Sequence, residues 1–168
     1  GQTISQPFIV ALMTHLLALQ PGDKVLEVGT GSGYQAAVLS EIVAAVHSIE
    51  IVEPLGRAAA LALAATGYRN VQARLGDGYA GWPEEAPFDA IIVTAAAPRV
   101  PQPLLDQLKP GGRLVIPLGD PMAGQLLCVI EKDAQGAATQ RTVLDVAFVP
   151  FTRTTDLTPA RSAPPNSA

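Results

Sequence analysis

The segment VLEVGTGSGYQAA, residues 25–37, constrains this chain more than any other stretch. A short apolar run stops at Gly29, Gly31 and Gly33, and helix-forming residues resume at once. That order reads as strand, tight turn, helix, the unit from which open α/β sheets are built. Glycines at the turn let the backbone bend sharply and approach a ligand closely, and in such sheets ligands lie at the carboxyl ends of the strands. The spacing narrows the ligand. A dinucleotide fingerprint needs G-x-G-x-x-G, and Tyr34 stands where its third glycine would fall. A P-loop needs a Gly-Lys-Ser/Thr ending, which is missing here. The loop therefore suits a nucleoside ligand without a pyrophosphate.

The flanking sequence supports this architecture. Helical spacing predicts a helix over 6–19, ending at the turn QPGD. KVLEVG (24–29) is the first strand, and a helix follows over 34–44. A strand over 45–51 leads to a helix over 54–66, with Gly67 as its C-terminal cap. Strands are predicted over 71–77 and 88–95, a short helix over 100–108, and a turn with a strand over 109–119. Two further strand-like runs, 125–133 and 140–151, flank AQGAAT and predict a hairpin. Alternating strands and helices imply a mainly parallel sheet covered on both faces, with the hairpin adding antiparallel strands at one edge. The expected unit is one domain over 1–153, followed by a disordered Pro/Ser/Ala-rich tail over 154–168.

Two carboxylates fall at other strand ends. Glu50 closes the second strand, where it can accept hydrogen bonds from both ribose hydroxyls. Glu53 competes, but it precedes Pro54 and reads equally as a helix-start acid. Asp77, between two glycines, ends the third strand and can accept from an exocyclic adenine amine. Composition excludes other chemistries. A net charge of −4, with 11 scattered Lys and Arg, argues against a nucleic-acid partner. One cysteine, Cys128, and two histidines provide neither a disulfide nor a metal framework. No run approaches the roughly 18 apolar residues that a membrane helix requires, so a cytoplasmic location is expected.

VLEVGTGSGY, SIE, GDG, APFDAIIVTAAAP and LKPGGRLVIPLG occur in the order seen in class I S-adenosylmethionine methyltransferases, with their Rossmann-like α/β fold. The opening GQTISQP, together with VTAAAP and the late VPFT, resembles the protein-L-isoaspartate O-methyltransferase family specifically, over residues 1 to about 153. That family carries a further segment before the GQTIS position, so the resemblance implies that such a segment is lacking here. It also implies S-adenosylmethionine as cofactor, S-adenosylhomocysteine as product, and isoaspartyl-bearing proteins and peptides as partners of a monomeric repair enzyme. Within the motifs it assigns Thr3, Ile4, Glu27, Gly29, Thr30, Gly31, Ser32, Gly33, Glu50, Asp77, Gly78 and Thr152 to the cofactor. Ser5 takes the catalytic position, and Thr94, Ala95 and Ala96 join it beside the acceptor. Ser5, two residues before Pro7, is also expected to cap the first helix.

A carboxylate acceptor is already ionised at neutral pH, so no general base is expected, and none is evident. His15, His47 and Cys128 read as core or surface residues. Tyr79 and Trp82 are expected to anchor the loop after the third strand, Tyr34 to pack at the first turn of its helix, and Arg99 to be solvated. Rival readings are a class I methyltransferase with a small-molecule acceptor, a cofactor-binding domain without turnover, and a nicotinamide-dependent oxidoreductase, the last disfavoured by the glycine spacing.

Overall fold

A computed structural model describes residues 4–120 and 124–157. Seven strands form one sheet in the order β3-β2-β1-β4-β5-β6-β7. They are β1 (Lys24–Val28), β2 (Ala45–Glu50), β3 (Val71–Leu75), β4 (Phe88–Val93), β5 (Leu108–Asp120), β6 (Gly124–Lys132) and β7 (Ala138–Val146). The first five run parallel. β6 and β7 pair antiparallel at the far edge, as the predicted hairpin requires. Helices α1 (Pro7–Leu16), α2 (Tyr34–Ser40), α3 (Glu53–Ala65) and α4 (Gln102–Gln107) connect or cover them.

Alternation along the strands divides the core in two. Val25, Val46, Ala90 and Ile92 face Met13, Ala36, Leu39 and Leu63 on one side. Leu26, Ile49, Ile91 and Leu114 pack with Phe88 and Leu104 on the other. The central strands are buried on both faces, and this is why they read as continuous apolar runs.

Several boundaries differ from expectation for local reasons. α1 starts at Pro7 with Gln6 at the cap position and no side-chain cap bond, so Ser5 does not cap it. α2 stops at Ser40 rather than Ala44. The Ser40 hydroxyl donates back to Ala37 O at 2.7 Å, and the Asn70 amide donates to both Ser40 O and Val43 O, drawing the chain out of the helix. Gly67, with φ +86°, does terminate α3: its amide donates to Ala64 O and that of Tyr68 to Leu63 O. β7 ends at Val146, not Phe151. Residues 147–151 leave the sheet edge and return across the carboxyl end of β4. Beyond residue 153, Thr154–Leu157 form one helical turn, α5, and the rest of the expected tail lies outside the described residues. Among the described residues no helix is long and apolar enough to cross a membrane.

Candidate nucleoside-binding site

A cleft opens at the carboxyl ends of β1, β2 and β4, lined by the loop Gly29–Ser32, by Glu50–Val52, Leu55 and Gly78, by Thr94–Ala95, and by Val149–Thr152. Ile4, Ser5, Val10, Tyr34 and Gln35 close it on the α1 side.

The loop is held from below by backbone. The amides of Gly29 and Thr30 both donate to Ile49 O, at 2.8 and 3.2 Å. Gly29 has φ +99°, and a Cβ there would lie 2.3 Å from Thr94 Oγ1, so a side chain is barred by both torsion and space. The Thr94 hydroxyl donates to Gly29 O at 2.7 Å and ties the end of β4 to the loop.

Glu50 is buried at the mouth of β2. Its Oε2 accepts from the Gly31 amide at 2.8 Å and its Oε1 from the Val52 amide at 2.9 Å. A carboxylate has about four acceptor sites, so both oxygens keep capacity for hydroxyls of a ligand. Glu50 is also the one charged side chain among the described lining residues. A cavity with one carboxylate and no cation suits a nucleoside that carries a cationic group and disfavours a phosphate ester, which would meet no compensating charge. The apolar wall of Ile49, Ile51, Val52 and Leu55 offers a slot for a base.

The other expected residues divide into groups. Ile4, Ser5, Thr30, Ser32, Gly78, Thr94, Ala95 and Thr152 line the cleft, with Ser5 half-buried. Glu27 lies beneath it, fully buried. Gly33 packs against Leu63 and Ala59 of α3, letting helix and loop approach. Ala96 exchanges backbone bonds with Val149 and Phe151 and so holds the rim. Asp77 sits beside the cleft, where Oδ1 accepts from the Tyr79 amide and Oδ2 from the Thr154 amide. Arg153 stacks over Tyr79 at 3.9 Å, its Nε 3.9 Å from Asp77 Oδ2. Thr3 lies outside the described residues. Trp82 is an anchor as expected, edge-on to His47 and under Arg74. The reading of Tyr34 as a packing residue is corrected: it is 51% exposed and lines the cleft.

The motif VPFT belongs to the resemblance, with only Thr152 given to the cofactor; that Val149, Pro150 and Phe151 also wall the cleft was hidden because apolar alternation there continued that of β7. Besides that motif, the proline was a signal, since it cannot donate within a ladder. Sequence reasoning also missed Gln125, buried at the start of β6. The Gln125 side-chain amide donates to Phe148 O at 3.0 Å, and its oxygen accepts from Phe148 N at 2.6 Å. That pair of bonds aims the returning segment at the cleft.

Residues 1–156 match the family model described as protein-L-isoaspartate(D-aspartate) O-methyltransferase. Protein-L-isoaspartate O-methyltransferase 1 of Nitrosospira multiformis is 63% identical over 151 residues, covering 90% of this chain. The chain spans 64% of that relative's length. A solved structure titled protein-L-isoaspartate O-methyltransferase superposes with a TM-score of 0.82 at 33% identity, covering 88% of this chain and 47% of the other. A second, a putative protein-L-isoaspartate O-methyltransferase of Plasmodium falciparum in complex with S-adenosyl-L-homocysteine, gives a TM-score of 0.75 at 29% identity, with 90% and 77% covered.

Proposed function

Because the chain belongs to the protein-L-isoaspartate(D-aspartate) O-methyltransferase family, we propose that it methylates the α-carboxylate of L-isoaspartyl residues in damaged proteins and peptides, with S-adenosylmethionine as donor. The observation that carries this reading is the cleft under the glycine loop, in which Glu50 is the single charge and no cation occurs among the described lining residues. Bound there, S-adenosylmethionine supplies an electrophilic sulfonium methyl.

The residues divide the work. Glu50 accepts from the ribose hydroxyls while its bonds to Gly31 and Val52 keep it in place. Gly29 to Ser32 and Gly78 let backbone approach the nucleoside, and Ile51, Val52 and Leu55 flank the base. Ser5, opposite Thr94 and Ala95, orients the acceptor carboxylate, and the small side chains beside it leave room for peptide backbone. That carboxylate is ionised at neutral pH, its ordinary pKa being about 3.5, so no side chain need remove a proton. Catalysis then rests on alignment and exclusion of water, which supply roughly 7–11 kcal/mol in well-oriented reactions. The following backbone nitrogen then attacks the ester carbonyl and expels methanol, closing a succinimide that water reopens in part as normal aspartate, which is repair. The same reading makes residues 1–153 the methyltransferase domain of a cytoplasmic monomer with no nucleic-acid or membrane partner.

The test is methyl transfer from labelled S-adenosylmethionine to an isoaspartyl peptide beside its aspartyl twin. Base-labile label on the isoaspartyl peptide alone, reduced at least tenfold by Ser5→Ala, is the expected result. Binding of S-adenosylhomocysteine with no label on either peptide would instead identify a cofactor-binding domain without turnover.

A further inference from the structure

Glu27 is a carboxyl group that the proposed reaction leaves unused. It is 0% exposed, on the face of β1 covered by α1 and α2, and pairs in register with Ser48 on β2. Ser48 Oγ and Glu27 Oε2 share a very short hydrogen bond. Ser48 also shares a 2.6 Å hydrogen bond with Thr30 Oγ1. Ser48 has one hydrogen: while the acid keeps its proton and donates it to Ser48, that hydrogen is free for Thr30, so the relay runs from the buried acid to the cleft lining. Thr30, 3% exposed, is the loop residue whose amide is also held by Ile49 O. Glu27 Oε1 has no partner among the described residues.

A carboxylate so enclosed, with a single hydrogen bond, is costly to ionise, and the group keeps its proton instead. Burial pushes its pKa up to about 8, the Ser48 bond pulling it down and the nearby Glu50 carboxylate pushing it up. Glu50 is the charged group that bears on it. On the helices covering this face, His15 of α1, Tyr34 of α2, Glu41 after it, and Glu53 and Arg57 of α3 are exposed, while the buried polar groups Thr14 and Gln35 are neutral.

We infer that Glu27 is a positioning residue for the glycine loop, holding Thr30 through Ser48 for as long as the acid keeps its proton. Once ionised, Glu27 takes the Ser48 hydrogen for itself, and the bond between Ser48 and Thr30 must reverse, with Thr30 donating. This inference deepens the proposed function and rests on it only for the identity of the ligand.

The test has a ligand-free arm and a ligand arm. In the free protein, the 13C shifts of the Glu27 carboxyl and the Thr30 methyl are followed from pH 6 to pH 9.5. Both should move together with a midpoint near 8. In Ser48→Ala the carboxyl should still titrate and the Thr30 methyl should not follow. A Thr30 methyl that is flat in the wild type, or that still follows in Ser48→Ala, overturns the inference, and neither result depends on any ligand. Calorimetry with S-adenosylhomocysteine forms the second arm. If only the protonated form is competent, the apparent Kd of the wild type rises about tenfold between pH 7 and pH 9 relative to Glu27→Gln, in which the ligand's own amine titrates identically. Equal pH dependences in the two proteins overturn the positioning role. No binding in either protein, with the Thr30 shift still titrating, would fail the cofactor reading and leave this one standing.

Discussion

At Gly29 two independent constraints meet. Its φ of +99° costs an L-residue about 1–2 kcal/mol, and an added Cβ would lie 2.3 Å from the Thr94 hydroxyl. Gly29→Ala should therefore destabilise the fold by about 2–4 kcal/mol in denaturant unfolding, torsion and clash together. Adding Thr94→Ala removes the obstructing oxygen and should recover part of that loss, leaving the torsional share. A fully additive double variant would show that the contact is not what excludes a side chain. Gly29 was legible in the sequence because a glycine after a strand has few other reasons to be there. Ser5 was legible as a residue of the cleft lining and misleading as a cap: Gln6 takes the cap position with extended backbone, and no side chain bonds the first turn. Glu27 was singled out by the family resemblance as a cofactor residue, but neither its burial nor its link to Ser48 can be read until β1 and β2 are paired.

At the scale of elements, the returning segment 147–152 depends on Gln125. Its carboxamide meets both the N–H and the C=O of Phe148, imitating one rung of a β-ladder where no strand is present. Gln125→Ala leaves those backbone groups unpaired in a half-buried setting and should cost about 1–3 kcal/mol. Faster amide exchange should be confined to residues 147–152, together with weaker binding of S-adenosylhomocysteine. Uniform acceleration across β6 and β7 would instead mark Gln125 as a sheet residue with no special hold on the rim. The strands, helices α1 to α4 and the hairpin followed from period and punctuation in the sequence. The departure of the chain after Val146 did not, because the apolar pattern of AFVPF serves a rim as well as a strand. It is tertiary pairing, Ala96 with Val149 and Phe151, that decides between them.

For the whole molecule, His47 sets an acid limit on stability. The ring is 2% exposed, edge-on to Trp82 and Phe88, with Nε2 3.3 Å from Glu85 Oε2 but not aligned for a hydrogen bond. Burial holds its pKa below the ordinary 6.5; Glu85 opposes this, and Lys24 and Arg74 add to it. The unfolded chain takes up that proton first as pH falls. Stability is therefore lost from about pH 6.5 downward, toward the folded value. His47→Leu removes the titrating ring and should flatten this acid limb in unfolding measured from pH 5 to pH 7.5. An unchanged slope would assign the limb to carboxylates. Glu27 works in the opposite sense: its raised value means stability falls as pH climbs from about 4.5 to about 8 and levels off beyond. Glu27→Gln should be free of that decline in the same experiment.

The cleft draws its walls from residues far apart in the chain: Ile4 and Ser5, the loop at 29–32, Thr94 and Ala95, and Val149–Thr152. During synthesis, the loop and Glu50 leave the ribosome long before residues 149–152 exist. Until those last wall residues arrive and Gln125 captures Phe148, a nascent chain has its glycine turn but no enclosed pocket. Ligand present in the cell therefore cannot guide the early steps of folding, and its stabilising effect begins only after residues 149–152 have been made.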